Sequence, residues 1–266
     1  MNPITKGQRI FYGTICAEAL LVAVLGLFAP KYLASMFTWM VLPPLHARFV
    51  GAIYLFGAVF MAGCLMARSQ AEVRGAFQLI GAWTGMMFII SLLNLSAFDF
   101  KLLPVWVWFI SYIADPIIAA WLTWKQPKPQ PADVLPGPSI PAWAKGFLLT
   151  QGIVISILAV LLFFIPAFIS TVWPWKVTPA LAQMYAGPLL SYGLGSLLFS
   201  RQDKWLGIRA IVPGMFAFAA GTMIVSFLHL SLFSFTEIAD LLWFGLFGIA
   251  TVILGMLTVR VIQVRA

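Results

Sequence analysis

Eight stretches of this chain are almost continuously apolar: residues 10–29, 47–67, 75–95, 103–123, 146–165, 180–199, 210–230 and 241–259. Each approaches the roughly 20 residues that an α-helix needs to cross the hydrocarbon layer of a bilayer. The runs do not alternate apolar and polar residues as barrel strands do, and a chain in lipid must satisfy its backbone internally, so helices are indicated. At 62% hydrophobic, 9% charged and a mean hydropathy of +0.99, 266 residues carry more apolar surface than they can bury, so lipid has to act as the solvent. The net charge of +8 does not imply a nucleic-acid partner, because the Lys and Arg residues fall one or two at a time between apolar runs and form no continuous basic face. Cys16 and Cys64 both lie inside apolar runs, which implies neither a disulfide framework nor a metal knuckle.

The runs are ordered by an internal repeat. Phe28, Pro30, Trp39, Val41, Pro43, Leu45, Gly51 and Gly57 return as Phe164, Pro166, Trp175, Val177, Pro179, Leu181, Gly187 and Gly193, each 136 positions later. Beyond position 74 the offset becomes 135, pairing Arg74 with Arg209, Ser91 with Ser226, Phe98 with Phe233, Trp108 with Trp243 and Leu122 with Leu257. The chain therefore reads as a tandem duplication: a first four-helix repeat over 1–124, a Pro-rich linker over 125–145 and a second repeat over 146–266. The expected fold is all-α, a polytopic membrane protein of eight transmembrane helices. Because four is even, both copies enter from the same side, as parallel repeats. The run after Lys6 and Arg9 resembles a signal peptide, but its mid-chain counterpart at 146–165 argues that it is retained. The linker, with prolines at 127, 129, 131, 136, 138 and 141, reads as an extended solvated tether, or as a docking site for a proline-recognising partner.

Sidedness follows from the cations. Lys6, Arg9, Arg68, Arg74, Lys125, Lys128, Lys145, Arg201, Lys204, Arg209, Arg260 and Arg265 fall on the side of the N-terminus, against only Lys31, Arg48, Lys101 and Lys176 opposite. The positive-inside bias places both termini in the cytoplasm of a bacterial inner membrane. On the opposite side Trp39, Trp173 and Trp175 read as interfacial anchors, and segments 31–46 and 231–240 are apolar enough to lie on the membrane surface or against partner protein.

Chemistry is expected where polar groups are costly. Glu18 and Asp115 fall near mid-depth of the first and fourth runs, where a carboxylate costs at least about 2.5–3.5 kcal/mol on insertion scales. No Lys or Arg shares that depth, and the second-copy positions are Val154 and Ala250. The pair is either a protonatable site for a transported ion, a cationic ligand or a quinone-like headgroup, or a pair of protonated acids hydrogen-bonded to Tyr112 and to carbonyls freed by Pro116. His46 and Arg48, at the outer end of the second run, suit lipid phosphate or simple snorkelling. His46 and His229 share an outer depth from which two imidazoles can ligate a haem, yet nothing in the sequence supports a macrocycle-sized cavity between their helices. No cofactor is assigned and no metal site is indicated.

There is no phosphate-binding Gly-rich loop, no His-Glu-x-x-His, no Cys-x-x-Cys and no nucleophile elbow, so a self-contained enzyme of those classes is not indicated. Arg48, Gly51 and Gly57 form an Arg-x-x-Gly-x-x-x-x-x-Gly second span, preceded by an outer loop and followed by short Arg-bearing turns before the third span. In these features each half resembles the DoxX-like four-helix bacterial membrane proteins, with Met184 in place of the Arg in the second half. The resemblance implies a fold and little about activity. Two functions are expected from the residues: a non-catalytic accessory or scaffolding subunit packed against other membrane proteins, or a small-molecule, lipid or ion carrier working through Glu18 and Asp115.

Overall fold

The computed structural model describes residues 2–37, 39, 43–127 and 135–264; Val41, Lys128, Pro129, Pro131 and Arg265 lie outside them. Twelve α-helices run through the described residues, and none of these residues forms a β-strand. They are α1 (Lys6–Phe28), α2 (Pro30–Met36), α3 (Leu45–Met66), α4 (Ala76–Leu93), α5 (Leu103–Lys125) and α6 (Ala142–Phe164). After these come α7 (Pro166–Val172), α8 (Pro179–Met184), α9 (Ala186–Ser200), α10 (Trp205–Ile208), α11 (Val212–Leu228) and α12 (Ile238–Gln263).

Six helices, α1, α3, α4, α5, α6 and α12, are long and apolar enough to cross a membrane. The all-helical architecture is thus that of a polytopic membrane protein. The expected runs at 180–199 and 210–230 take a different form. Tyr185 separates α8 from α9, and Pro188, lacking an N–H, cannot bond back to the Met184 carbonyl. The other run makes α11, of 17 residues, which begins at Val212 because Pro213 suits a first helical turn.

Local chemistry sets the helix starts. Thr5 and Gln8 form a reciprocal capping box on α1, Thr5 Oγ1 accepting from the Gln8 amide at 3.3 Å and Gln8 Oε1 accepting from the Thr5 amide at 2.9 Å. α2 and α7 are both seven residues long, and both open on a proline straight after the helix before them. They turn the chain sharply at the outer ends of α1 and α6.

Packing follows a crossed pattern. α1 lies on α3 and α6 on α9; α4 lies on α5 and α11 on α12. The two centres, however, are α3 against α11 and α9 against α4. Each early helix pair is thereby closed by a later or earlier pair from the other half of the chain. Small residues allow this. A Cβ on Gly26 would fall 2.6 Å from the Ala47 carbonyl oxygen and one on Gly51 only 2.8 Å from the Leu27 amide, so α1 and α3 touch backbone to backbone.

Contacts recur at the same spacing as the letters of the sequence. The Trp108 indole donates to Ser91 Oγ at 2.9 Å, and the Trp243 indole donates to Ser226 Oγ at 3.0 Å. Pro3 bridges Ser69 while Ser139 bridges Lys204, and the Gln70 amide donates to the Asn2 carbonyl as the Trp205 amide does to Pro138. This last pairing changes the reading of the linker. Within 135–141, Leu135 and Ile140 are buried and the Ile140 amide donates to the Asp203 carbonyl, while Pro136 to Ser139 stay exposed.

Candidate functional site

α1 and α5 each bring a carboxylic acid to the thirteenth position of a 23-residue helix, so both arrive near the middle of their helices. Glu18 and Asp115 line one cavity of about 340 Å³, enclosed by α1 to α5 with Ser191 of α9 closing one side. Asp115 is only 7% exposed and Glu18 is half-buried. The two acids are close enough to act on each other electrostatically, and Glu18 acts likewise on Tyr54. Tyr112 lines the same cavity as the two acids.

The cavity also holds groups that no sequence motif announced. Tyr54 of α3 and Tyr112 of α5 share a short hydroxyl–hydroxyl hydrogen bond. Trp83 of α4 and Ser111 of α5 also line the cavity. Thr84 and Ser191 turn their hydroxyls to the Ile80 and Leu79 carbonyls, at 2.7 and 2.9 Å. The remaining wall is apolar, supplied by residues such as Val22, Leu25, Met36, Phe56 and Phe60. Leu21, Leu103 and Val107 line the cavity and are also strongly exposed, so its mouth opens between α1 and α5 on the apolar flank of the protein.

One signal in the sequence points at the missed residues: what stands 135 or 136 positions later. Tyr54, Trp83, Ser111 and Tyr112 are answered by Leu190, Phe218, Leu246 and Phe247, as Glu18 and Asp115 are by Val154 and Ala250. Every polar member of the cavity that these positions represent becomes apolar or loses its polar atom. The second half instead places Gln151 against Ser196, its amide donating to Ser196 Oγ at 2.9 Å.

The other predicted positions lie elsewhere. Trp39 and Trp175, read as interfacial anchors, are 5% and 4% exposed and packed into the protein. Trp39 backs the cavity, its ring 5.5 Å from Phe37 and 5.6 Å from Trp108, while Trp173 and Trp175 pack against Phe49 and Trp243. Placing an indole there satisfies aromatic packing that the outer loop alone did not reveal. His46 is buried and its Nε2 meets the Lys176 carbonyl at 2.9 Å.

Arg48 donates from Nη1 to His229 Nε2 at 2.7 Å and from Nε to the Leu27 carbonyl at 3.4 Å, tying α3 to α11 and to the end of α1. Because an arginine can only donate, His229 accepts through Nε2 and carries its proton on Nδ1. The ring nitrogens that a haem would use on His46 and His229 are therefore engaged with protein. A neutral counterpart ties α8 to the end of α4 and to α6: Asn94 Nδ2 donates to Gln183 Oε1 at 2.8 Å and Gln183 Nε2 to the Phe163 carbonyl at 2.8 Å.

No family model, curated protein or solved structure matches the chain.

Proposed function

We propose that the protein is a multi-pass membrane carrier that takes a lipid-soluble small molecule into the cavity between α1 and α5 and holds its polar end at Glu18 and Asp115. The observation that carries this reading is the cavity itself: an apolar chamber of about 340 Å³, open on a lipid-facing flank, with both intramembrane acids in its wall. That volume falls within the range of ligand sites, roughly 300–1,000 Å³. Acids kept in a hydrocarbon setting weaken a fold and persist where they serve a site. The accessory-subunit reading rests on the exposed apolar faces of α5, α6 and α12, which lipid covers equally well, and an internal acid-lined chamber has no use in it.

The same proposal includes eight crossings, with α8 and α9 together as the sixth and α11 as the seventh, arranged as two parallel DoxX-like repeats. The recurring Trp–Ser bonds, the paired seven-residue helices and the paired edge bridges support it. The distribution of cations supports an inner-membrane location with cytoplasmic termini.

Purification in a mild detergent, followed by solvent extraction and mass spectrometry, tests the function. A stoichiometric small molecule is expected with the wild-type protein and not with Glu18→Gln/Asp115→Asn of equal thermal stability. A preparation that carries no small molecule, takes up none from the membrane and co-purifies with other subunits would overturn the carrier reading.

A further inference from the structure

Which ligand chemistry does the chamber accept? We infer that it is built for an organic cation, a protonated or quaternary amine on an apolar body, because its wall carries two carboxyl groups and several aromatic rings and, among the described residues, no cationic side chain. This rests on the carrier reading above and narrows it.

The donors can be followed one at a time. Trp108 gives its indole N–H to Ser91. Thr84 and Ser191 give their hydroxyl hydrogens to backbone carbonyls. Tyr54 and Tyr112 bond to each other, which uses one of their two hydroxyl hydrogens. One tyrosine hydrogen is left for a third group, besides the O–H that each carboxyl group carries while neutral. Against it stand two carboxyl groups, each an acceptor of several hydrogen bonds when ionised.

Charge points the same way. Among the described residues, the lining contains Glu18 and Asp115 and no Lys, Arg or His. An ionised acid in an apolar chamber is costly unless a cation accompanies it, and the protein supplies none there. A ligand bearing one positive charge would let one or both acids ionise, turning an unfavourable group into a charge-assisted contact. The walls add a second recognition element. Trp83, Trp108, Tyr54 and Tyr112 present ring faces and edges to the same space, and aromatic faces attract ammonium groups when water is excluded. A quinone or other carbonyl compound carries no charge, so it could use the acids only as neutral O–H donors and would give neither a counter-charge.

The mouth fits an amphiphile. Leu21, Leu103 and Val107 form a lipid-side rim, so the apolar body can enter sideways from the bilayer while the charged end moves inward to the acids.

The test uses the full chain in nanodiscs of uncharged phosphatidylcholine, with phenyltrimethylammonium as the cation and tert-butylbenzene, its uncharged carbon analogue of the same shape. Short-chain ubiquinone serves as the acceptor-bearing probe. Saturable binding above that of empty nanodiscs is expected for the cation. Neither neutral probe is expected to compete with it at equal membrane concentration, a comparison that needs no variant.

In Glu18→Gln/Asp115→Asn the cation's affinity is expected to fall by roughly thirtyfold or more, the loss typical of removing one side of a desolvated charge pair. Equal binding of the cation and its carbon analogue, or displacement of the cation by the quinone, overturns the cation assignment while leaving a ligand-binding chamber. Binding of the quinone alone does the same. Binding of no probe overturns the chamber's role as a ligand site and with it the carrier reading.

Discussion

The two ends of the molecule use equivalent positions for opposite purposes. Around α1 and α5 the chain keeps Glu18, Tyr54, Ser111, Tyr112 and Asp115 about a chamber; 135 or 136 residues later the same places hold Val154, Leu190, Leu246, Phe247 and Ala250. Around both, the scaffold is alike, down to a tryptophan that donates to a serine on the neighbouring helix. The comparison leads to the expectation that the framework's stability does not need the acids. They are an addition to one half, and an apolar alternative to them is written in the other.

The largest expected difference between the halves comes from helix contact. Gly51→Ala would place a Cβ 2.8 Å from the backbone of α1, whereas Gly187→Ala would meet chiefly the flexible Met87 side chain at 2.8 Å. The first is expected to destabilise by about 3 kcal/mol or more and the second by about 1 kcal/mol, since rigid overpacking costs most. Thermal unfolding in detergent reads both; equal losses would show that α1 and α3 can part as easily as a methionine can move.

Next is the exchange of chemistry between halves. Glu18→Val with Asp115→Ala copies the second half into the first. It is expected to raise the stability of the ligand-free protein by roughly 2 kcal/mol, part of the cost of holding acids in an apolar setting, and to abolish ligand binding. A fall in stability instead would mean that the acids hold the helices together.

A smaller, symmetric effect is expected from Trp108→Phe and Trp243→Phe. Each removes one buried hydrogen bond and leaves a serine that still bonds its own helix, to the Met87 and Thr222 carbonyls respectively. Losses of about 1 kcal/mol each, equal within error, are expected. Unequal losses would show that the scaffold is not shared to the extent that the paired bonds suggest.

The smallest effect sits at the helix ends. Lys145 and Asp203 form an exposed ion pair at 2.5 Å, where the first half uses Arg9 on the carbonyls of Leu65 and Ala67. The hydrogen bond from Lys145, and its charge, hold the Asp203 carboxyl below the usual carboxylate value. A depressed folded-state value means that the contribution is complete above about pH 4, the ordinary aspartate value, and is lost as pH falls through the lower folded one. Asp203→Asn is therefore expected to remove a slight acid-side decline in the melting temperature and to change little at pH 7. Arg9, which pairs with carbonyls, should show no such pH dependence.

How much of this was legible in the sequence depends on what signal each feature leaves. The long helices were, because an apolar run of the right length has few other fates, and the mid-helix acids were, because Glu18 and Asp115 interrupt such runs. Tyr54 and Ser111 were not: a tyrosine or serine within an apolar helix is ordinary, and only comparison with Leu190 and Leu246 sets them apart. The inward turn of Trp39 and Trp175 was hidden because amphipathic indoles suit both an interface and an aromatic core. Ile140 in the Pro-rich segment was hidden for the opposite reason. One buried side chain among prolines makes no period, yet its amide and side chain anchor the segment to the loop before α10.

The crossed pairing of helices sets an order of events for biosynthesis. When α3 leaves the ribosome, the helix it will rest against, α11, has not been made, and α4 must likewise wait for α9. α3 and α4, packed on α1 and α5 respectively, would therefore spend the early part of translation with a second inner face open to lipid or to an insertion chaperone. A transcript cut after the first half should then yield not a smaller working protein but a substrate for membrane proteases.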